Sequence, residues 1–303
     1  MSNKLAIILV NWNSYELIKN TIISLHTCTY TNYSIIVVDN ASSDDSLQQL
    51  KKEFPSIIFL ESNNNLGFTG GNNLGMQYAL EKNFELQLLL NNDVEVEPDF
   101  LEPLIEVFKN EKIGAAQPLI YFHHNHELIW NAGSKYNALL GITTTPGYNT
   151  IDIGQKQKKI YKKIDWITGC AFMVRSSVLH KVGLLTEAFF IYYEDVDLSF
   201  KIKKSGYELA YVPGSVIYHI AGMAHQSLQK TKEGYISAKV HYLNARNRIW
   251  ILKKYTTLWA FPFVLVYQTF YFFGISFYFI FRRRWQKLKA WNRGIGDGLL
   301  HSI

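Results

Sequence analysis

The sequence predicts an α/β protein whose core is a doubly wound, mostly parallel sheet with flanking helices. In the first half of the 303-residue chain, short apolar runs alternate with segments of helical periodicity. This alternation is typical of strand–helix units, in which a helix connects two parallel strands. The chain is long enough for one large domain, and it shows no internal repeat of roughly 20–50 residues, so a solenoid or a propeller is not expected.

Each element is expected where an apolar run or a helical spacing of apolar residues occurs. Strands are predicted at residues 5–10, 34–39, 57–60, 86–90 and 210–219, and helices at residues 17–25, 44–54, 70–80, 98–109 and 195–204. Pro98 would lie in the first turn of its helix, where proline is tolerated. Gly206 follows the last helix, where glycine commonly ends one. Residues 115–165 show no regular pattern, so hairpins and loops are expected there before strand and turn return at 166–179.

The cysteines and the N-terminal pattern both indicate the compartment. Cys28 and Cys170 lie in apolar contexts, so free core thiols in a reducing compartment are expected. The apolar run before Asn11 is followed by no small-residue cleavage site, which indicates a buried strand and a chain that stays in the cytosol.

The histidines of 123–126 have no carboxylate or cysteine at a matched spacing, so a solvated turn is expected there rather than a metal site.

The net charge of +6 is unevenly distributed. Between Arg246 and Arg293 there are ten Lys or Arg and no Asp or Glu. A nucleic-acid binder more often spreads its positive charge over a groove-facing surface, so no nucleic-acid partner is expected. The basic excess brackets an apolar stretch, which indicates an anionic membrane surface.

That apolar stretch, residues 255–281, contains no charge, and 13 of its 27 residues are aromatic. It is long enough to cross a bilayer once, since about 20 residues suffice. Basic clusters flank both ends, however, and Pro262 interrupts the run. We therefore favour a re-entrant or interfacial pair of helices at the cytoplasmic face of the cell membrane over a single span or a buried interface. The predicted domains are a catalytic domain at 1–245 and a membrane-associating helical tail at 246–303.

Polar residues follow the predicted strands at their carboxyl ends, where ligands bind in open parallel sheets. Asp39 ends the second strand and is able to accept a hydrogen bond from a pyrimidine N–H or a ribose hydroxyl, although it also suits a turn or cap before the Ser42 helix start. Trp12 offers a ring on which a base would stack. Residues 65–75 form a Gly- and Asn-rich loop that runs into a helix, where backbone N–H groups suit a diphosphate, although glycines also mark ordinary turns.

The remaining candidates are acidic residues and one histidine. Asp93 follows an apolar strand, and a metal that is bound to phosphate oxygens needs only one or two protein carboxylates. Glu194 and Asp195 open a helix, where they either complement its dipole or supply a general base. His219 ends a later strand and is either structural or a metal ligand. No G-x-G-x-x-G follows the first strand and no G-K-[ST] occurs, which excludes a dinucleotide fingerprint and a P-loop.

Taken together and in this order, these motifs resemble glycosyltransferase family 2, the inverting enzymes of the GT-A fold. The resemblance covers about residues 4–225 and rests on the segments 10–13, 38–42, 65–75, 90–93, 168–171 and 193–198. The variant forms at 65–75 and 91–93 resemble the rhamnosyltransferase-like branch, which builds bacterial surface polysaccharides. That branch implies a nucleotide diphosphate sugar donor, with dTDP-rhamnose favoured over UDP-sugars, and a glycan or polyprenyl-linked acceptor.

The resemblance also implies residue roles. Asp195, with Glu194 beside it, would be the catalytic base, and Asp93 and His219 would bind Mg²⁺ or Mn²⁺. Asn91 replaces the first acid of the family's D-x-D motif, which leaves one carboxylate for the metal. The candidate donor-binding residues are Asn11, Trp12, Asn13, Asp39, Asn65, Gly67, Gly71, Asn72, Asn91 and Asn92.

Two other readings stay open at this point. A nucleotidyltransferase also combines a nucleotide fold with Mg²⁺, but it would usually have a basic, Gly-rich motif where this chain has Val-Asn-Trp-Asn. A catalytically degenerate transferase that binds polysaccharide or acts as a scaffold is suggested by Asn91 and opposed by the intact pair of Glu194 and Asp195. The sequence leaves open whether copies of the chain form a homo-oligomer.

Overall fold

The computed structural model describes residues 4–156, 161–220, 226–231 and 233–303. Two compact units are drawn from the chain. The first comprises Met1–Lys135, Thr145–Phe190 and Glu194–Ala221, and the second comprises Tyr136–Thr144, Ile191–Tyr193 and Gly222–Ile303. The predicted boundary after residue 245 falls within a helix of the second unit and stays a prediction.

The strands and helices of the described residues are as follows. The strands are β1 (Leu5–Asn11), β2 (Tyr33–Asp39), β3 (Ile58–Glu61), β4 (Leu86–Leu90), β5 (Val94–Val96), β6 (Ile113–Phe122), β7 (Asn125–Asn131), β8 (Lys135–Asn137), β9 (Ile142–Thr144), β10 (Lys162–Lys163), β11 (Ala171–Arg175), β12 (Glu208–His219), β13 (Gln226–Thr231) and β14 (Gly234–Ile236). The helices are α1 (Tyr15–Leu25), α2 (Ser46–Glu53), α3 (Gly67–Glu81), α4 (Leu101–Glu106), α5 (Ser176–Val182), α6 (Glu194–Lys204), α7 (Ala238–Tyr255), α8 (Phe261–Phe281) and α9 (Trp285–Leu300).

The first unit is built on a ten-stranded mixed sheet. Its main order is β10-β12-β6-β11-β4-β1-β2-β3, with β5 beside β12 and β7 beside β6. The strands β4, β1, β2 and β3 are parallel, whereas β11 is antiparallel to both of its neighbours, β4 and β6. The parallel strands therefore end at one edge of the sheet, and that edge carries the polar residues.

The central strand β1 is apolar on both faces because both faces are covered. Leu5, Ile7 and Leu9 belong to one buried cluster together with α1, and Ala6 and Ile8 belong to another together with α3. Successive side chains of a strand point to opposite faces, so an uninterrupted apolar run is the pattern expected of a doubly covered strand. Each fully buried Leu or Ile contributes about 1.5–3 kcal/mol to stability.

Two expectations for the first unit are corrected. Residues 113–122 do not form loops but a buried strand, β6, which lies between β12 and β11. Gln117 and Pro118 hid this strand by breaking the apolar run, and Gln117 is accommodated because its amide Nε2 donates to Asn131 Oδ1 at 2.9 Å. Helix α4 is shorter than predicted and begins at Leu101, since Pro98 lies in a turn before it.

Two smaller predictions are confirmed. Cys28 and Cys170 are free and buried. The histidines of 123–126 lie at the hairpin that connects β6 to β7, as expected for a turn between strands.

In the second unit, α7 packs against α9, and α8 packs against α9. Helix α8 is one continuous helix of 21 residues, so the predicted pair of short helices within 255–281 is wrong. Pro262 does not interrupt it because proline in the first turn removes no helical hydrogen bond. Among the described residues, α8 is also the helix whose length and composition would allow it to cross a membrane.

Candidate active site

Asp39 and Asn11 form the first part of the site. They end β2 and β1 and are paired in register, so their side chains meet at the sheet edge. Asn11 Nδ2 donates to Asp39 Oδ1 at 2.8 Å and to the hydroxyls of Ser42 and Ser46 at 3.1 and 2.8 Å. The backbone N–H of Ser42 donates to Asp39 Oδ2 at 3.1 Å. Asn11 is fully buried, so it holds the carboxylate of Asp39 rather than facing a ligand itself.

The turn after β1 is held to the turn after β2. Asn13 has a φ of +52°, in the left-handed region that Asn tolerates better than most residues. Its Oδ1 accepts a hydrogen bond from Ser43 N at 2.7 Å, and its own N–H donates to Ser42 Oγ at 3.0 Å. Trp12, between Asn11 and Asn13, stays 53% exposed, which leaves its ring available for stacking on a base.

Asn40 ties this edge to the glycine-rich loop, a role that the sequence analysis missed. Asn40 Oδ1 accepts from Leu66 N at 2.9 Å, and its Nδ2 donates to Gly67 O at 3.0 Å. Asn65 Oδ1 accepts from Gly67 N at 2.9 Å. Gly67 has a φ of +71°, and a Cβ there would lie 2.5 Å from the carbonyl oxygen of Phe190, so only glycine fits.

The start of α3 offers fewer free amides than the sequence suggested. The N–H groups of Gly67, Thr69 and Gly70 already donate to Asn65 Oδ1, Phe190 O and Leu66 O. In this conformation, those three amides are therefore not available to cradle a diphosphate.

Two further candidates in α3 have roles within the fold. A Cβ at Gly71 would lie 2.9 Å from Val10 Cγ1, so glycine allows α3 to approach β1 closely. Asn72 is buried, and its Nδ2 donates to Phe68 O one turn earlier at 2.8 Å. Both residues therefore stabilise α3 and its packing on β1 instead of facing a ligand.

Asp93, His219 and Asn91 form the second part of the site. Asp93 Oδ1 lies 3.1 Å from His219 Nε2, and Asn91 Nδ2 lies 3.3 Å from the same nitrogen. Asp93 and His219 are only 2% and 5% exposed. Burial lowers the pKa of His219, but the Cys170 sulfur and Asp93 outweigh it and raise that pKa to about 10. A cation that binds His219 would therefore displace a proton.

This group fits one divalent cation that shares its coordination with a substrate. A carboxylate and an imidazole converge, and an amide lies beside them, but no group of three or more His, Cys, Asp or Glu in the described residues could hold a metal. Mg²⁺ and similar ions commonly take one or two protein ligands and obtain the others from phosphate oxygens and water. The donor set thus suits a cation that is delivered with a diphosphate.

Glu194 and Asp195, at the start of α6, form the third part. Asp195 Oδ2 accepts from Gly169 N at 2.9 Å, and its Oδ1 accepts from Val196 N at 2.8 Å. Burial raises the pKa of Asp195 to about 6, although these backbone donors oppose the shift. Burial and then the charge of Asp195 raise the pKa of Glu194 well above its ordinary value. Near neutral pH, Asp195 is therefore ionised and able to accept a proton, while Glu194 holds its proton more tightly than an ordinary glutamate does.

The third acid of this motif, Asp197, has a structural role. It is fully buried, and its Oδ2 accepts from Thr186 Oγ1 at 2.7 Å and pairs with Lys201 Nζ at 3.1 Å. Like Asn40, Gly169 is a residue of the candidate site to which the sequence analysis assigned no role. Its N–H fixes the Asp195 carboxylate, and its signal was its place in the 168–171 motif.

The three parts lie on one connected framework. Asn92 Nδ2 donates to Val10 O at 3.1 Å, which joins the segment 91–93 to β1 just before Asn11. Asn91 N donates to Cys170 O at 2.9 Å, which joins that segment to the strand following Gly169. The fold thus provides, in sequence, a carboxylate held at the sheet edge by Asn11, the close pair of Asp93 and His219, and the Asp195 carboxylate held by backbone N–H groups.

Comparison with known proteins gives a consistent result. The profile described as "Glycosyl transferase family 2" matches residues 6–183. The chain is 27% identical over 252 residues to "Low-salt glycan biosynthesis hexosyltransferase Agl10" of Haloferax volcanii, a match that covers 82% of this chain and 75% of that protein. It is 23% identical over 235 residues to "N-acetylglucosaminyl-diphospho-decaprenol L-rhamnosyltransferase" of Mycobacterium tuberculosis, over 72% of this chain and 76% of that protein.

The solved structures agree on the fold. The crystal structure of GalNAc-T7 with UDP, GalNAc and Mn²⁺ matches with a TM-score of 0.62 at 19% identity, over 82% of this chain and 47% of that chain. The predicted GT-A fold is confirmed, and so is the predicted resemblance to the rhamnosyltransferase-like branch. Since the family profile matches more than half of the sequence and the fold agrees with it, the chain belongs to glycosyl transferase family 2.

Proposed function

We propose that this protein transfers a hexose from a nucleotide diphosphate sugar to a lipid-linked glycan acceptor, with inversion at the anomeric carbon. The observation that carries this proposal is Asp195, a carboxylate fixed by two backbone N–H groups, with a pKa that burial raises to about 6. Such a group is ionised at neutral pH yet basic enough to accept a proton in a transition state. Among donors, dTDP-rhamnose is favoured and UDP-sugars come second, because of the rhamnosyltransferase relatives.

Donor binding is assigned to the edge formed by Asp39 and Trp12. The Asp39 carboxylate, held by Asn11 and by Ser42 N, would accept the N–H of a pyrimidine ring. The exposed ring of Trp12 would stack on that base. Asn65, Gly67, Gly71, Asn72, Asn91 and Asn92 would shape the diphosphate region, mostly by supporting its backbone.

The transfer itself is a single displacement. The Asp195 carboxylate takes the proton of the acceptor hydroxyl as that oxygen attacks the anomeric carbon from the face opposite the diphosphate. The new carbon–oxygen bond forms while the bond to the diphosphate breaks, and its electron pair leaves with the diphosphate. The transition state resembles an oxocarbenium ion, as in other glycosyl transfers. The raised pKa of Glu194 disfavours a second negative charge beside Asp195.

Asp93 and His219 would hold Mg²⁺ or Mn²⁺ with the diphosphate. When bound, such a cation supplies positive charge that neutralises the leaving diphosphate. The solved structure of GalNAc-T7 contains both UDP and Mn²⁺, which supports the use of a divalent metal.

The acceptor is proposed to be a polyprenyl diphosphate glycan. The name of one relative contains N-acetylglucosaminyl-diphospho-decaprenol, which is a lipid-linked sugar. The exposed apolar residues of α8 also suit a site near a membrane. Along α8, one face packs on neighbouring helices through Val264, Gln268, Ile275 and Phe279. The other face exposes a stripe at helical spacing: Phe263, Val266, Phe270, Phe273, Phe277 and Phe281.

We assign this stripe to the interface of an anionic membrane, at the cytoplasmic face. Helix α8 packs on neighbouring helices along one face, and positively charged clusters at both of its ends favour the same side of the membrane, so we place it in the interface rather than across the bilayer. The basic residues Arg282, Arg283 and Arg284 follow α8 directly, and Lys253 and Lys254 precede it, so both ends suit anionic headgroups.

The membrane assignment is tested by vesicle flotation. We expect the protein to float with phosphatidylglycerol vesicles and less with phosphatidylcholine vesicles, and the difference should shrink in high salt. The double variant that combines Phe270→Ser and Phe277→Ser should float less with both kinds of vesicle. Wild-type protein that stays unbound to either vesicle, or labels at 253 and 303 found on opposite sides of the membrane, would rule this assignment out.

The transferase assignment is tested by release of nucleoside diphosphate. dTDP-rhamnose and the common UDP-sugars are supplied with and without Mn²⁺, first alone and then with an N-acetylglucosaminyl-diphospho-lipid. Metal-dependent release from one donor, lost in Asp195→Asn, is the expected result. No release from any donor with the acceptor present would reject it in favour of a non-catalytic binding protein.

A further inference from the structure

The segment Ile191–Tyr193, which directly precedes the catalytic helix α6, has an unusual backbone. Tyr192 and Tyr193 have φ values of +73° and +69°, in the left-handed region that bulky L-residues rarely adopt. Such a conformation persists only where the surroundings impose it, and it concentrates at functional sites. Glu194 and Asp195 follow without a linker, so this segment leads directly into α6.

Asn247 of α7 holds this segment. Its side chain is fully buried, and Nδ2 donates to the carbonyl oxygens of both Ile191 and Tyr192 at 2.9 Å. Its Oδ1 accepts from Arg246 Nε at 2.9 Å, which fixes the amide with its nitrogen toward the two carbonyls. One amide therefore bonds two successive peptide groups of a strained segment, an arrangement that no apolar side chain could replace.

The next residue, Arg248, contacts the same segment from the same helix. Arg248 Nη1 donates to Tyr193 OH at 3.2 Å, and Arg248 Nε donates to Gln268 Oε1 at 2.8 Å. Gln268 in turn donates through Nε2 to Leu140 O at 2.7 Å. The arginine is thus anchored on α8 and the 136–144 hairpin, so the clamp on the segment is itself rigid.

We propose that Asn247, supported by Arg248, is a positioning residue for the catalytic base of this transferase. It does not touch substrate; it imposes the backbone of Ile191–Tyr193 and thereby the start of α6. The N–H of Gly169 bonds the Asp195 carboxylate itself. This inference rests on the proposed function for its catalytic consequence, but the clamp is a property of the chain that is measurable without any substrate.

The first experiment measures the clamp alone. Hydrogen–deuterium exchange of peptides that cover 190–198 is compared for wild type, Asn247→Asp and Asn244→Ala. Asn247→Asp keeps the size of the side chain but removes the amide donor, so exchange across 190–198 should rise. Asn244 lies on the same helix and donates to Val240 O, so Asn244→Ala is the matched control and should exchange like wild type. Unchanged exchange in Asn247→Asp would overturn the proposal.

The second experiment measures the consequence for catalysis. With dTDP-rhamnose, or whichever donor the release assay identifies, kcat of Asn247→Asp should fall about 10- to 100-fold, the range expected when a catalytic group is displaced by about 1 Å. The Kd for the nucleoside diphosphate with Mn²⁺ should match that of wild type and Asn244→Ala. Equal losses of kcat and nucleotide affinity would mean general unfolding and would reject a positioning role.

The two experiments separate the two claims. If wild type transfers no sugar, the proposed function fails, yet the exchange result still decides whether Asn247 holds the segment. If Asn247→Asp does not fold, Asn247→Ser, which is smaller and keeps one donor, replaces it with the same expected directions and smaller effects.

Discussion

Asp39 and Asp195 are two carboxylates of the same unit, and each accepts hydrogen bonds from two protein donors. They differ in what surrounds those donors. Asp39 is held by Asn11, whose amide also bonds Ser42 and Ser46, so its neighbours are neutral and polar. Asp195 is held by backbone N–H groups beside a second buried acid, Glu194, and burial raises its pKa to about 6. The surroundings make one a fixed acceptor and the other a base.

The strongest test of this difference is Asp195→Asn. Removing the general base should lower kcat about 100- to 10,000-fold, while the Kd for the nucleoside diphosphate stays at the wild-type value. The measurements are turnover with saturating donor and calorimetric titration of the nucleotide with Mn²⁺. Glu194→Gln is the matched control, because burial raises the pKa of Glu194 and thereby favours its neutral form, which glutamine resembles; this variant should retain most of its turnover. If Glu194→Gln lost as much as Asp195→Asn, the roles of the two acids would have to be exchanged.

Asp39→Ala is expected to have a smaller effect, and to lower nucleotide affinity rather than kcat. Hydrogen bonds to charged groups are worth about 1.5–3 kcal/mol, so nucleotide affinity should fall about 10- to 100-fold. At saturating donor, kcat should stay near that of wild type, because Asp39 is assigned to the base of the nucleotide and not to the sugar or the acceptor. Asp44→Ala removes a carboxylate from the same turn, where it accepts from Ser46, and should bind nucleotide normally. Loss of kcat without loss of affinity would contradict the assignment of Asp39.

The smallest effect is the pH dependence of turnover. Because the pKa of Asp195 is raised to about 6, the carboxylate becomes protonated as the pH falls through that value and no longer accepts the acceptor proton. At saturating substrates, kcat should therefore be level near pH 7.5 and fall about tenfold for each pH unit below 6. A profile that stays level down to pH 5 would show that a group of lower pKa is the base.

The sheet and the positions of the polar residues were predictable from the sequence because both follow from local patterns. Apolar runs identified β1, β2 and β4, and the residues directly after a parallel strand must lie at its carboxyl end. Strand β6 was not predicted because Gln117 interrupts its apolar run, and the hydrogen bond that allows Gln117 to be buried is made to Asn131 of the neighbouring strand β7. That α8 is one continuous helix was not predicted, because the sequence does not distinguish a proline that breaks a helix from one that begins a helix.

The supporting residues of the site were not predictable, since their roles depend on partners far along the chain. Asn40 bonds the glycine-rich loop 26 and 27 residues later, and Gly67 is required by the carbonyl of Phe190. Asn247 meets Tyr192 across 55 residues. A local pattern contains no signal for such contacts, although the motif that each residue supports is visible locally.

The separation between Asp93 and His219 has a consequence for the timing of synthesis. Asn11 and Asp39 are 28 residues apart, whereas Asp93 and His219 are 126 residues apart. At translation rates of about 5–20 residues per second, His219 is made roughly 6–25 s after Asp93. The contact between Asn11 and Asp39 therefore needs only the first 39 residues of a growing chain, whereas the contact between Asp93 and His219 needs β12 to have joined the sheet. If Asp93 and His219 hold the cation as proposed, a chain that stalls before β12 lacks one of the two ligands.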